Sequence, residues 1–156
     1  MKPIIVGLGN DLLSDDGIGI YAARYLMGKL KKSEADIVAT ALHGLALLEI
    51  FLGYKRAIVI DAVETGAFTP GTVIEWTAEN LKAIPSPSPH YTGLPELIAL
   101  ARELELDFPE DIKILAIEIR NAHRIGLEIS ASIRASLGEI AGRVRSYLQQ
   151  WQLSEP

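Results

Sequence analysis

A chain of 156 residues, 49% hydrophobic and 22% charged, suits a single domain over residues 1–156 with its own core, and the absence of cysteine leaves carboxylates, imidazoles and hydroxyls for any chemistry. A net charge of −5 and a pI near 5.2 exclude the basic footprint that nucleic-acid binding needs. The apolar run after Met1-Lys2-Pro3 is too short for a signal peptide and nothing approaches the ~18 apolar residues of a membrane span, so a cytoplasmic protein is expected.

Pro3–Val6 is an apolar strand without polar alternation, as expected of a strand covered on both faces. A glycine-rich acidic turn follows, from Gly7-Leu8-Gly9-Asn10 through Ser14-Asp15-Asp16-Gly17. Ile18, Ala22, Tyr25, Leu26 and Leu30 then recur at helical spacing, and the helix is expected to end among Lys29, Lys31 and Lys32. Asp36–Leu42 reads as a second strand, His43-Gly44 as a turn, and Leu45–Leu52 as a short helix closed by Gly53. Arg56–Ile60 is the third strand, with Asp61 at its carboxyl end. Pro70-Gly71 turns the chain into Thr72–Trp76, which lies too close to its predecessor for a helical crossover and is expected to be an antiparallel edge.

Pro85-Ser86-Pro87-Ser88-Pro89 is a stiff connector that delivers His90. Gly93–Glu105 is a helix with Leu94, Leu97, Ile98, Ala101 and Leu104 on one face, and Lys113–Ile119 is a fifth strand. Ser130 to about Trp151 carries an apolar stripe and is expected to be one long terminal helix. The order predicts a three-layer α/β/α sandwich with a mostly parallel five-stranded sheet and one antiparallel edge strand.

Strand, glycine turn and helix together invite a dinucleotide reading. The third glycine of G-x-G-x-x-G would fall at Leu12, however, and Asp11, Asp15 and Asp16 oppose a pyrophosphate at the helix N-terminus. Carboxylates there suit either helix capping or a cation. Asp16 after the first strand, Asp61 after the third and His90 before a later helix can converge on one sheet edge. Two carboxylates and an imidazole form a sensible donor set for a borderline divalent metal with open positions. Asp15 or Asp61 is the candidate general base. His43 is either a turn residue or substrate-facing, and His123 beside Arg124 either touches substrate or belongs to a surface loop. G-x-S-x-G and H-E-x-x-H are both absent.

Gly7-Leu8-Gly9-Asn10 with Leu12-Leu13-Ser14-Asp15-Asp16-Gly17-Ile18-Gly19 resembles the opening motif of the hydrogenase maturation proteases. Ile60-Asp61-Ala62-Val63 with Gly66, His90 ahead of Leu94-Pro95-Glu96-Leu97, and Gly126-Leu127-Glu128-Ile129-Ser130 with Ile133 agree with it, so that the resemblance covers nearly the whole chain. It implies a cytoplasmic endopeptidase that trims a C-terminal peptide from the precursor of a [NiFe] hydrogenase large subunit after nickel insertion. It further implies that Asp16, Asp61 and His90 are the catalytic, metal-binding set, with nickel supplied by the client and other divalent cations able to substitute. Many members carry Glu where this chain has Asp16. A second family segment, D-G-G-T in several members, falls near Leu42-His43-Gly44-Leu45 without its carboxylate, and places His43 and Gly44, with Gly9 and Asn10, as substrate-recognition candidates. A monomer is expected. The rival from another class is a non-hydrolytic nickel-binding accessory module that uses the same three ligands.

Overall fold

The structure, a computed structural model, describes residues 1–42, 44–80 and 94–155. Its sheet has five strands: β1 (Ile4–Leu8), β2 (Asp36–Thr40), β3 (Arg56–Val63), β4 (Val73–Thr77) and β5 (Asp111–Glu118). They lie in the order β2-β1-β3-β5-β4. β1 pairs in parallel with both β2 and β3, β3 pairs in parallel with β5, and β4 closes the edge antiparallel to β5. All of β1, and all of β3 beyond Arg56, is buried, which explains why these strands carry continuous apolar runs instead of alternation.

Helices cover both faces. On one, α1 (Ile18–Met27), α4 (Ala131–Arg134) and α5 (Leu137–Ser154) set Ile18, Leu26, Ile133 and Val144 against Ile60 and Leu115. On the other, α2 (Leu48–Phe51) and α3 (Leu94–Glu103) set Phe51, Leu94 and Leu97 against Val59 and Ile114. The expected sandwich and its antiparallel edge strand are present.

Several boundaries differ from the sequence expectation. β3 runs on to Val63, so Asp61 stands inside a paired strand opposite Ala116 instead of in a turn beyond it. α1 stops at Met27 with Gly28 as its cap, which leaves the lysines outside the helix. Leu104 lies beyond the end of α3 and is exposed. The terminal helix is two helices, because the Ser136 hydroxyl donates to the Ile133 carbonyl (2.6 Å) and competes with the backbone at the joint. The proline-rich connector and Gly93 lie outside the described residues.

The amino edge of the sheet is fastened by side chains. Arg56, at the start of β3, donates from Nη1 to the Trp151 carbonyl (2.9 Å) and lies 5.6 Å over the Trp151 ring. The indole Nε1 in turn donates to Asp111 (2.9 Å), the first residue of β5. Asp36, first in β2, accepts from Lys2 Nζ (2.8 Å) and the Tyr54 hydroxyl (2.6 Å). Those two donors, Lys2 first, hold the Asp36 carboxyl below its ordinary range. A carboxyl lowered by folding contributes stability above its unfolded value, about pH 4, and loses it as pH falls through the lower folded value. Thermal unfolding followed from about pH 6 to about pH 3 is therefore expected to lose stability more steeply in the wild type than in D36N. Equal acid-side slopes would show that the pair is not coupled to folding.

Candidate active site at the carboxyl edge of the sheet

In the sheet order, the chain leaves β1 toward β2 on one side and continues from β3 toward β5 on the other. The gap between the carboxyl ends of β1 and β3 is thus a topological switch point, where open α/β sheets place their ligands. Helix α1 is seated directly over it. A Cβ at Gly19 would lie 2.5 Å from the Ile60 carbonyl oxygen and collide with that of Leu8, and one at Gly7 would collide with the Gly19 carbonyl. Backbone meets backbone here, which only glycine permits.

One turn before Gly19, Asp16 lies in a 3₁₀ turn, Ser14–Gly17, that packs on β3. Its side chain is buried, and Oδ2 accepts the Asn10 N–H at 3.2 Å. Asp61 has no exposed surface, and its Oδ1 accepts the Ala62 N–H at 2.7 Å. Both acids lie at the carboxyl edge of the sheet, Asp16 in the turn after β1 that packs on β3 and Asp61 in β3 itself. Asn10 and Gly9 serve the turn itself. Asn10 Oδ1 accepts the Leu12 N–H at 3.0 Å, and a Cβ on Gly9 would come within 2.5 Å of the Asp16 carbonyl oxygen. Gly44, with φ of +62°, opens the 3₁₀ turn after β2 at the same edge. His43 and His90 lie outside the described residues.

The N-cap residues of the 3₁₀ turn and of α1 are Leu13 and Gly17, which make no side-chain cap hydrogen bond. Asp15 reaches across to Ser130, accepting its N–H (2.6 Å) and its hydroxyl (2.9 Å) at the start of α4. The Asp11 carboxylate pairs with Arg24 at 3.2 Å.

One further acid, Glu118, is buried at this edge without a motif to mark it in the sequence. Glu118 ends β5 opposite Val63 and accepts the N–H groups of Thr65 (2.9 Å) and Gly66 (3.3 Å) and the Thr65 hydroxyl. It fixes the loop that leaves β3, and its only signal in the sequence is an acid closing an apolar strand. His123 and Arg124 line a surface recess with Glu64, Asn121 and Ala122 between the loops after β3 and β5.

Chemically, this edge offers two buried carboxylates at the carboxyl end of a parallel sheet. Hard oxygen donors, joined by one imidazole, match a borderline divalent cation. Among the described residues no group of three such side chains is assembled, so the third donor would have to come from His90 or from a client.

The hydrogenase maturation protease family model HycI matches residues 20–146. The hydrogenase 2 maturation protease of Escherichia coli K12 is 26% identical over 152 residues, covering 93% of this chain and 92% of its own. The hydrogenase expression/formation protein HupD of Thiocapsa roseopersicina is 24% identical, covering 95% of this chain and 68% of its own. Among solved structures, the hydrogenase maturating endopeptidase HybD from E. coli superposes with a TM-score of 0.81 at 22% identity, over 96% of this chain and 93% of that one. The [NiFe] hydrogenase maturation protease HybD from Thermococcus kodakarensis gives 0.73 at 27% identity, over 95% and 99%. With the family model spanning most of the chain and the same sheet beneath it, the chain belongs to the hydrogenase maturation proteases, a family of endopeptidases.

Proposed function

We propose that this endopeptidase removes a C-terminal peptide from the precursor of a [NiFe] hydrogenase large subunit once nickel is in place, and that it reads the nickel through Asp16, Asp61 and His90. The observation that supports this reading is that Asp16 and Asp61 are both buried acids at the carboxyl edge of the sheet, one in the turn after β1 and one in β3. In it the nickel arrives as part of the client, and a bound divalent cation supplies Lewis acidity toward a carbonyl or water. The protein's own part is to present two carboxylate oxygens on a fixed turn and a fixed strand. Asp15 or Asp61 is the general base in this reading; Asp15 has both oxygens engaged by Ser130, and Asp61 is buried and accepts the Ala62 N–H.

A client of protein size fits this edge. Leu12, Leu42, Leu45, Phe68, Ile125 and Leu127 are large, exposed apolar side chains, and all lie on loops or in the 3₁₀ turn that follow the carboxyl ends of strands. Exposed apolar surface gathered at one edge favours a macromolecular partner over a small substrate. No helix among the described residues is long and apolar enough to cross a membrane. We place the protein in the cytoplasm as a monomer that meets its client there.

The test is to incubate nickel-loaded large-subunit precursor with a substoichiometric amount of the protein and weigh the product. Loss of a C-terminal peptide with repeated turnover is expected. Intact precursor mass even at equimolar protein would favour the non-hydrolytic nickel-binding module.

A further inference from the structure

The acidic turn depends on a backbone conformation that its sequence disfavours. Ser14 has φ of +47°, in the left-handed region where a residue with a Cβ is strained. Leu13 N–H to Asn10 O (3.0 Å) and Asp16 N–H to Leu13 O (3.0 Å) close the turn, and Asn10 N–H to Asp16 Oδ2 (3.2 Å) aims the acid. The bonds to Asp16 span Ser14, so a change in its φ would move Asp16. Such strain persists only where the surroundings over-determine it.

Those surroundings come from far along the chain. The segment Gly126–Ser130 lies against the turn, and Leu13 forms a parallel bridge with Gly126. Gly126 N–H donates to Leu12 O (2.9 Å), and Ser14 N–H donates to Gly126 O (2.8 Å). Ser14 Oγ donates to Glu128 O (2.7 Å), and both oxygens of Asp15 are taken by Ser130. The Tyr21 hydroxyl bonds the Leu127 carbonyl. Bonds therefore grip the chain on both sides of Ser14 as well as Ser14 itself. The strap is anchored in turn, because Ile129 and Ile133 are buried in the core while Ile125 and Leu127 remain exposed.

We propose that Asp15 and Ser130 are positioning residues: their paired hydrogen bonds hold Ser14 in the left-handed conformation and thereby fix the Asp16 carboxylate at the carboxyl edge of the sheet. This rests on the reading of Asp16 as part of the active site. Neither residue touches the reacting atoms. Their effect passes through the backbone of residues 14–16, and glycine, which adopts positive φ without strain, can take over their task.

The experiment compares S130A, S130T, S14G, S14G/S130A and D16N in cleavage of nickel-loaded precursor and in amide exchange of Asn10. S130A is expected to lower kcat about tenfold with KM little changed, and to speed Asn10 exchange. S130T keeps both donors and behaves as wild type. S14G/S130A recovers most of the lost kcat and slows Asn10 exchange again. A raised KM in S130A that S14G does not repair would mean that Ser130 contacts the client, and would overturn the proposal. So would wild-type kcat and exchange in S130A while D16N is inactive. Wild-type kcat in D16N would instead overturn the reading of Asp16 on which the proposal rests.

Discussion

Asp61→Asn is expected to lower kcat/KM for the nickel-loaded precursor by at least about 10²–10³-fold, the scale of removing one preorganised charged group from a water-excluded site. Asparagine has nearly the same shape, and its amide oxygen can still accept the Ala62 N–H that Asp61 accepts at 2.7 Å. The side chain is fully buried in a paired strand, so the substitution removes charge while keeping the packing. Asp16→Asn should behave alike, with the Asn10 N–H still accepted. His90→Ala should match them if it supplies the third donor. If the acids act as one unit, D16N/D61N will be little worse than either single variant. Precursor mass over time, read beside unfolding midpoints that stay close to the wild type, checks the expectation. Wild-type cleavage in either single variant would remove that residue from the set.

Gly19→Ala should produce a large loss of stability. In an exposed helix interior this change ordinarily stabilises by about 0.5–1 kcal/mol. In α1 the new methyl would strike the carbonyl oxygens of Leu8 and Ile60, which belong to strands and cannot swing aside. The cost is expected to be about 3 kcal/mol or more, a large share of the 5–15 kcal/mol typical of a domain. Gly142→Ala in α5 is the matched control, because a Cβ there meets nothing within 4 Å, and it should stabilise by about 1 kcal/mol. Denaturant midpoints of the two variants moving in the same direction would contradict the close packing of α1 on β1 and β3.

The sequence made some parts of this site plain and hid others, for physical reasons that differ. The acidic turn announced itself because glycine spacing and charge are local signals. Asp61 is legible as an acid just past the third strand, since aspartate is depleted in strands. What keeps it in β3 is pairing with β5 as far as Val63 and Glu118, a non-local fact. The sequence leaves Asp15 open between a cap and a cation ligand for the same reason, because its partner Ser130 lies 115 residues away and no local pattern marks that bond. The terminal stripe ran unbroken through Ile133, Leu137 and Ile140, so periodicity joined two helices whose connecting residues Ala135 and Ser136 keep helical dihedrals. The layer order and the edge strand were legible because apolar runs and turn residues mark them without reference to distant contacts.

The fastening of Arg56, Trp151 and Asp111 sits at the end of the sheet away from Asp16 and Asp61. Part of the fold's stability is therefore drawn from the end of the strands opposite the proposed client site. Substitutions accumulate safely only while a protein stays above its folding threshold. The exposed residues at the other end, Leu45, Ile125 and Leu127 among them, are buried in no core and have room to change before the fold is endangered.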